Sequence, residues 1–140
     1  MRQIRVLLVD DCAEFRSAAA GFLASDPRVQ IVGHAADGLE GIKRTQDLSP
    51  HLVLMDVSMP VMDGLEATRR IKGWLTSPRV VIVSLHDGAE YQRSAREARA
   101  DGFICKADFT EAMPAHLDAC SAWMAKASGI QGDLFHGGLE

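Results

Sequence analysis

Cysteine, aromatic residues and long apolar runs are all scarce in this chain, and each scarcity excludes something. There are three cysteines, Cys12, Cys105 and Cys120. Their number is odd and their spacings are wide, so they fit neither a disulfide framework nor a zinc site and read as reduced thiols. No apolar run approaches the roughly 20 residues that cross a bilayer. The start, MRQIRVLLVDD, ends on acids and lacks a small-residue cleavage site, so it reads as a first strand and not as a signal peptide. Charge is also modest. A formal net charge of -4 favours solubility and gives no basis for direct nucleic-acid contact by this segment. A cytoplasmic protein is the expectation. The five histidines (His34, His51, His86, His116 and His136) include no i, i+4 pair that would suggest a metal site.

What the chain does have is apolar bulk: 47% of 140 residues, enough for one core and one domain. The bulk is organised. Short runs rich in Val, Ile and Leu stand at 4–10, 29–35, 51–56, 79–84 and 102–105. They lack strict polar alternation, as parallel strands buried on both faces do. Helix candidates lie between them. Residues 13–24 put Phe15, Ala18, Ala19, Phe22 and Leu23 on one face. DGLE occurs twice, at Asp37–Glu40 and Asp63–Glu66, each time as a capping-box-like start for a helix, over 38–48 and 64–75. Residues 88–100 are helical in period but poor in large apolar side chains. Residues 111–125 align Met113, Leu117, Cys120 and Met124, with Pro114 expected to tighten or kink the first turn. Five strand-then-helix units predict an α/β domain with a parallel sheet covered by helices on both faces.

In such sheets ligands bind beyond the carboxyl ends of the strands. Asp10 and Asp11 end the first strand, Asp56 the third and Ser84 the fourth, and Lys106 follows the fifth. Helix capping explains one acid of the pair, not both. Three carboxylates converging on one site need a hard cation, and Mg²⁺ favours a few carboxylates with water and a phosphate oxygen. Lys106 suits a phosphoryl oxygen, and the Ser84 hydroxyl can donate to another.

The pieces VDD (9–11), DVSMPVMDG (56–64), VSL (83–85) and GFICK (102–106), in this order, resemble the response-regulator receiver domain of two-component signalling. The resemblance covers roughly residues 3 to 126. It implies a flavodoxin-like, doubly wound (βα)5 fold with strand order 2-1-3-4-5. It implies that Asp56 is the phosphoacceptor. Asp11, Asp56 and the backbone carbonyl of Ser58 would bind Mg²⁺, with Mn²⁺ as a substitute, and Asp10 would position a metal water. Ser84 and Lys106 would bind the phosphoryl group. Phe103 takes the place of the switch aromatic. The implied partners are a sensor histidine kinase or phosphotransfer protein and, through the fourth helix, fifth strand and fifth helix, an output domain or downstream protein. A homodimer through that face is compatible with the family. Self-phosphorylation and self-dephosphorylation would be the domain's chemistry, so it is not expected to be an enzyme in its own right. A dehalogenase-type phosphatase would need a second acid where Ser58 stands.

Three positions depart from the family's pattern. A proline, usually cis, follows the lysine in the family; here Ala107 follows. A cis bond without proline costs about 2.5–4 kcal/mol, so the bond is either strained or trans, with Lys106 presented differently. KAD at this place resembles receivers that carry a C-terminal LuxR-type helix-turn-helix domain. Leu85 stands where a small residue is usual, which predicts slower access of water and small donors. Ser58 and His86 occupy the two variable positions that tune dephosphorylation rate in the family. These departures keep a second reading open, a pseudo-receiver that binds partners without accepting phosphate.

Arg93, Arg96 and Arg99 recur at three-residue spacing and read as a solvated face or a basic docking stripe. Beyond residue 126 the glycine-rich KASGIQGDLFHGGLE lacks a sustained period and reads as a linker or flexible tail over 127–140. Residues 1–126 form the expected receiver. Two expectations follow, a single-domain regulator or the receiver part of a longer transcription factor.

Overall fold

The computed structural model describes residues 2–86 and 88–137, with 128–137 described as backbone alone. The order is β1 (Ile4–Val9), α1 (Ala13–Ala24), β2 (Val29–Ala35), α2 (Gly38–Leu48), β3 (Leu52–Asp56), α3 (Gly64–Lys72), β4 (Arg79–Ser84), α4 (Ala89–Glu97), β5 (Gly102–Cys105), a 3₁₀ turn (Lys106–Asp108) and α5 (Phe109–Gly137). The strands form one parallel sheet in the order β2-β1-β3-β4-β5. The expected topology is therefore present.

The alternation of side chains along each strand divides the core in two. Val6, Leu8, Leu52, Leu54, Val81, Val83 and Ile104 face α1 and α5, meeting Leu23, Phe109, Met113, Leu117, Cys120 and Met124. Leu7, Val9, Val53, Met55, Val80 and Ile82 face the other helices, meeting Ala67, Ile71 and Ala95. Runs without polar alternation are what a sheet covered on both faces requires.

Both DGLE copies begin helices. Asp37 accepts a hydrogen bond from the Glu40 N–H at 2.8 Å, and Asp63 from the Glu66 N–H at 2.9 Å. The glycines serve clearance, not conformation: neither has a positive φ. A Cβ on Gly38 would lie 2.4 Å from the Met62 carbonyl oxygen, and one on Gly64 would lie 1.7 Å from that of Asp56. These two contacts set α2 against the loop before α3, and α3 against the end of β3.

Some expectations change. The third helix ends at Lys72, not residue 75, and Trp74 lies in the following turn, packed on the α3 side of the core. Ala18, expected on the buried face of α1, is exposed, because the helix rests mainly on Ala19 and Leu23. α4 ends at Glu97, and Arg99 follows it with φ 67°, so the three arginines do not share one helix. All three are exposed. The backbone of α5 stays helical to Gly137, past residue 126, so the glycine-rich stretch is no break as far as that residue. Residues 138–140 lie outside the described ones. Pro114 sits within α5, preceded by the 3₁₀ turn.

Candidate functional site: an acidic cleft at the carboxyl ends of the strands

The pairing registers bring the strand ends level. Val9 is opposite Met55, Asp56 opposite Val83, and Ser84 opposite Cys105. Asp10 and Lys106, one step beyond β1 and β5, therefore share one rim with Asp56 and Ser84, the last residues of β3 and β4. A cleft of about 490 Å³ opens there, lined by Asp11, Asp56, Ser58, Ser84, Leu85, His86 and Lys106, with Cys12, Phe15 and Ala107. Asp10 lies beneath it. All the site residues expected from the sequence except Phe103 meet at this place.

Asp10, Asp56 and Ser84 are buried at 4%, 6% and 1% relative exposure, whereas Asp11 is open to solvent. One carboxylate oxygen from each of Asp10, Asp11 and Asp56 lies within 4.8 Å of the others. The Lys106 ammonium is 2.8 Å from Asp10 Oδ2 and 3.7 Å from Asp56 Oδ1. The close pair is ionic, without the alignment of a hydrogen bond, so among the described residues the buried Asp10 Oδ2 has no aligned donor. A cluster of acids with an unsaturated buried oxygen suits a small hard cation that brings its own waters. The residues present thus fit Mg²⁺.

Local hydrogen bonds hold the acids. The Cys12 N–H donates to Asp10 Oδ1 at 2.8 Å, and the Arg16 guanidinium donates to the Asp10 carbonyl. Asp10 therefore shapes the turn into α1, while Asp11 points free of capping duty. The Val57 N–H donates to Asp56 Oδ1 at 2.9 Å. Burial, followed by repulsion from the Asp10 carboxylate, pushes Asp56 up to about 6, against the pull of Lys106 and the Val57 N–H. For Lys106, burial acts to lower the pKa, but Asp10 and Asp56 together outweigh it and hold the ammonium above its ordinary value. The two carboxylates thus favour the charged form of the lysine.

Ser84 Oγ accepts the His86 N–H at 3.0 Å. Leu85 is 73% exposed and projects at the cleft mouth. The exposed His86 ring stacks on Tyr91 of α4, with centroids 5.0 Å apart and 20° between planes. Phe103 stands on β5 opposite Ile82, half-buried against the α2–α4 side of the core. The Lys106–Ala107 bond is trans, which settles the alternative left open by the absence of proline. Sequence reasoning missed two neighbours, Cys12 and the ring face of Phe15. Both lie where α1 starts, and a helix that begins beside a strand end presents its first turn to the cleft.

A doubly wound α/β domain with an acidic cleft, a lysine and a hydroxyl at its strand ends is a phosphate-handling signalling module in form. The family description "Response regulator receiver domain" matches residues 6–118, and the chain belongs to that family. It is a receiver domain of two-component signalling, a phosphoacceptor module. It is similar to the protein-glutamate methylesterase/protein-glutamine glutaminase of Aliivibrio fischeri, 38% identical over 74% of this chain and 28% of that protein. It is also similar to the transcriptional regulatory protein LiaR of Bacillus subtilis, 42% identical over 58% of this chain and 38% of that protein. Among solved structures, the response regulator domain of Thermotoga maritima CheB matches with TM-score 0.76 and 33% identity, over 86% of this chain and 96% of that one. The receiver domain of the putative response regulator NarL from Mycobacterium tuberculosis matches with TM-score 0.81 and 28% identity, over 86% of this chain and 98% of that one. The chain spans well under half the length of these curated relatives, and the methylesterases among them are enzymes through other domains. Receiver domains bind Mg²⁺ at an acidic pocket and interact with histidine kinases and output domains. Among the described residues, no helix is long and apolar enough to cross a membrane.

Proposed function

We propose that Asp56 accepts a phosphoryl group from a sensor histidine kinase, a phosphotransfer protein or a small phosphodonor. The observation that carries this is the convergence of a buried carboxylate, two further acids and a lysine within one open cleft. Asp11, Asp56 and the Ser58 carbonyl would hold Mg²⁺ or Mn²⁺ directly, and Asp10 would hold a metal-bound water. A bound divalent cation supplies charge that offsets the three carboxylates and the phosphoryl oxygens. An Asp56 oxygen attacks phosphorus in line. The O–P bond forms as the N–P bond of the donor's phosphohistidine breaks, and the imidazole leaves with the electron pair. The transition state is loose, so positioning and charge neutralisation supply most of the acceleration. Lys106 takes one phosphoryl oxygen. Ser84 leaves the His86 N–H and donates to another, and Phe103 turns inward behind it. Water later hydrolyses the acyl phosphate.

The new dianion biases the α4-β5-α5 face towards an output domain, a downstream protein or a second copy of the chain. Residues 1–126 act as the receiver and 127–140 as a linker or tail, with helical backbone as far as Gly137. The similarity to the transcriptional regulatory protein LiaR supports a transcriptional regulator as the whole protein, with the receiver acting in the cytoplasm and contributing no activity on other substrates. Leu85, His86 and Ser58 set the rates. Replacing Leu85, which overhangs the mouth, with alanine is expected to speed phosphorylation by a small donor severalfold; equal rates would remove Leu85 from access control.

The reading is tested by intact mass after incubation with Mg²⁺ and a small phosphodonor, and with a phosphorylated kinase. One phosphoryl adduct that needs the metal and is absent in Asp56→Asn is expected. No adduct from either donor would replace this reading with the pseudo-receiver.

A further inference from the structure

Lys106 is delivered to the cleft on a trans peptide bond, without the proline that follows the lysine in the resembling family. Something else has to fix the direction of a long, rotatable side chain. Three contacts reach its ammonium, one of them Asp56 at 3.7 Å. Asp10 approaches at 2.8 Å. The Phe15 ring lies beneath it, with Nζ 4.5 Å from the ring centroid. An ammonium over an aromatic face is attracted by the ring's quadrupole. The lysine side chain is only 10% exposed, so little water competes for it.

The ring is itself held. Phe15 meets Phe109 edge-to-face at 5.4 Å and 81°, and Phe109 meets Phe22 at 6.0 Å and 70°. Phe109 is 4% exposed and opens α5 directly after the 3₁₀ turn Lys106–Asp108. The contacts close a circuit. The turn that carries Lys106 leads into Phe109, Phe109 fixes the edge of Phe15, and the face of Phe15 receives the lysine. α1 is thereby tied to the lysine-bearing loop through side chains. Phe15 also lines the cleft beside Asp56.

We propose that Phe15 is a positioning residue for phosphoryl transfer: its ring aims the Lys106 ammonium at the phosphoryl oxygens above Asp56. The proposal rests on the phosphoacceptor reading, but the contact can be tested without any phosphoryl chemistry. Phe15→Leu keeps an apolar side chain of similar reach and removes the ring; Phe15→Tyr keeps the ring.

Two readouts decide. By NMR, the Lys106 ε-CH₂ protons of the unphosphorylated chain are expected upfield of those of the other lysines. They should move downfield in Phe15→Leu and stay upfield in Phe15→Tyr. In phosphorylation with a small donor at saturating Mg²⁺, Phe15→Leu is expected to be roughly tenfold slower. Phe15→Tyr should restore the rate, and Phe15→Leu should add nothing in a Lys106→Ala background. Failure of the wild-type chain to accept phosphate would sink the phosphoacceptor reading and leave the ring contact to the NMR shifts. An unshifted Lys106 resonance overturns the proposal. So does a Phe15→Leu rate within twofold of wild type, or a folded Phe15→Tyr as slow as Phe15→Leu.

Discussion

In metal-free buffer at pH 8, Asp56→Asn unfolds at a higher temperature than the wild-type chain. The reason is the price of holding an ionised carboxylate where Asp56 sits. Burial and the neighbouring Asp10 raise its pKa from 3.8 to about 6. The folded chain therefore binds the Asp56 proton more tightly than the unfolded chain does. Above pH 6 the group is ionised in both states, and the whole penalty falls on the fold. As the pH drops from 6 towards 3.8, the folded state takes up a proton that the unfolded state does not, and the penalty shrinks. Below 3.8 both states are protonated and the contribution is gone. Asparagine keeps an oxygen for the Val57 N–H but carries no charge. Lys106 retains Asp10 at 2.8 Å.

The gain from Asp56→Asn is expected at roughly 1–3 kcal/mol above pH 7, or about 3–10 °C in Tm, shrinking to nothing near pH 4. Mg²⁺ should reverse the order. A ligand that binds only the folded state stabilises it by mass action, and the variant has lost one of the proposed ligands. Thermal scans from pH 4 to 8, with and without Mg²⁺, provide the check. A variant less stable than wild type at pH 8 without metal would mean that the ion pair with Lys106 outweighs the desolvation of Asp56.

How much of this was legible follows from the range of the interactions. The strands could be read because burial on both faces leaves a run of Val, Ile and Leu. The helix starts could be read because an Asp cap acts over three residues, and Asp37 and Asp63 both cap as DGLE suggests. Asp10, Asp11, Asp56, Ser84 and Lys106 were found together because strand ends in a parallel sheet converge. Contacts between distant segments could not be read. The ring of Phe15 shows in the sequence as one more apolar residue on the α1 face. Only the turn from β1 into α1 brings it under Lys106. The stack of His86 on Tyr91 depends in the same way on where α4 begins. α4 stops short of the residue 100 that its helical period suggests because Arg99 adopts a left-handed conformation, which a side chain of that size rarely signals. The helical backbone up to Gly137 runs through glycines that suggest irregular chain.

Gly64 is the plainest case of a residue whose reason lies outside its own segment, and Gly64→Ala is expected to be among the most damaging single changes. Its backbone has an ordinary φ that alanine adopts readily. Its N–H donates to the Val57 carbonyl at 2.9 Å, which seats the first turn of α3 on the end of β3. An alanine Cβ would meet the Asp56 carbonyl oxygen at 1.7 Å and Met55 Cγ at 2.9 Å. Backbone cannot swing aside as a flexible side chain can, so either α3 lifts away or the Asp56 peptide moves. The first loses the Gly64–Val57 bond and exposes the Ala67 and Ile71 face; the second displaces the phosphoacceptor. A loss of about 3 kcal/mol is expected from overpacking of this kind, with phosphorylation slowed in whatever fraction still folds. Gly21→Ala is the matched control. Gly21 lies within α1 with nothing near its missing Cβ, so the change should add roughly 0.5–1 kcal/mol of stability. Denaturant midpoints of the two variants against wild type decide the matter. If Gly64→Ala unfolds at the wild-type midpoint, backbone clearance is not what glycine provides there.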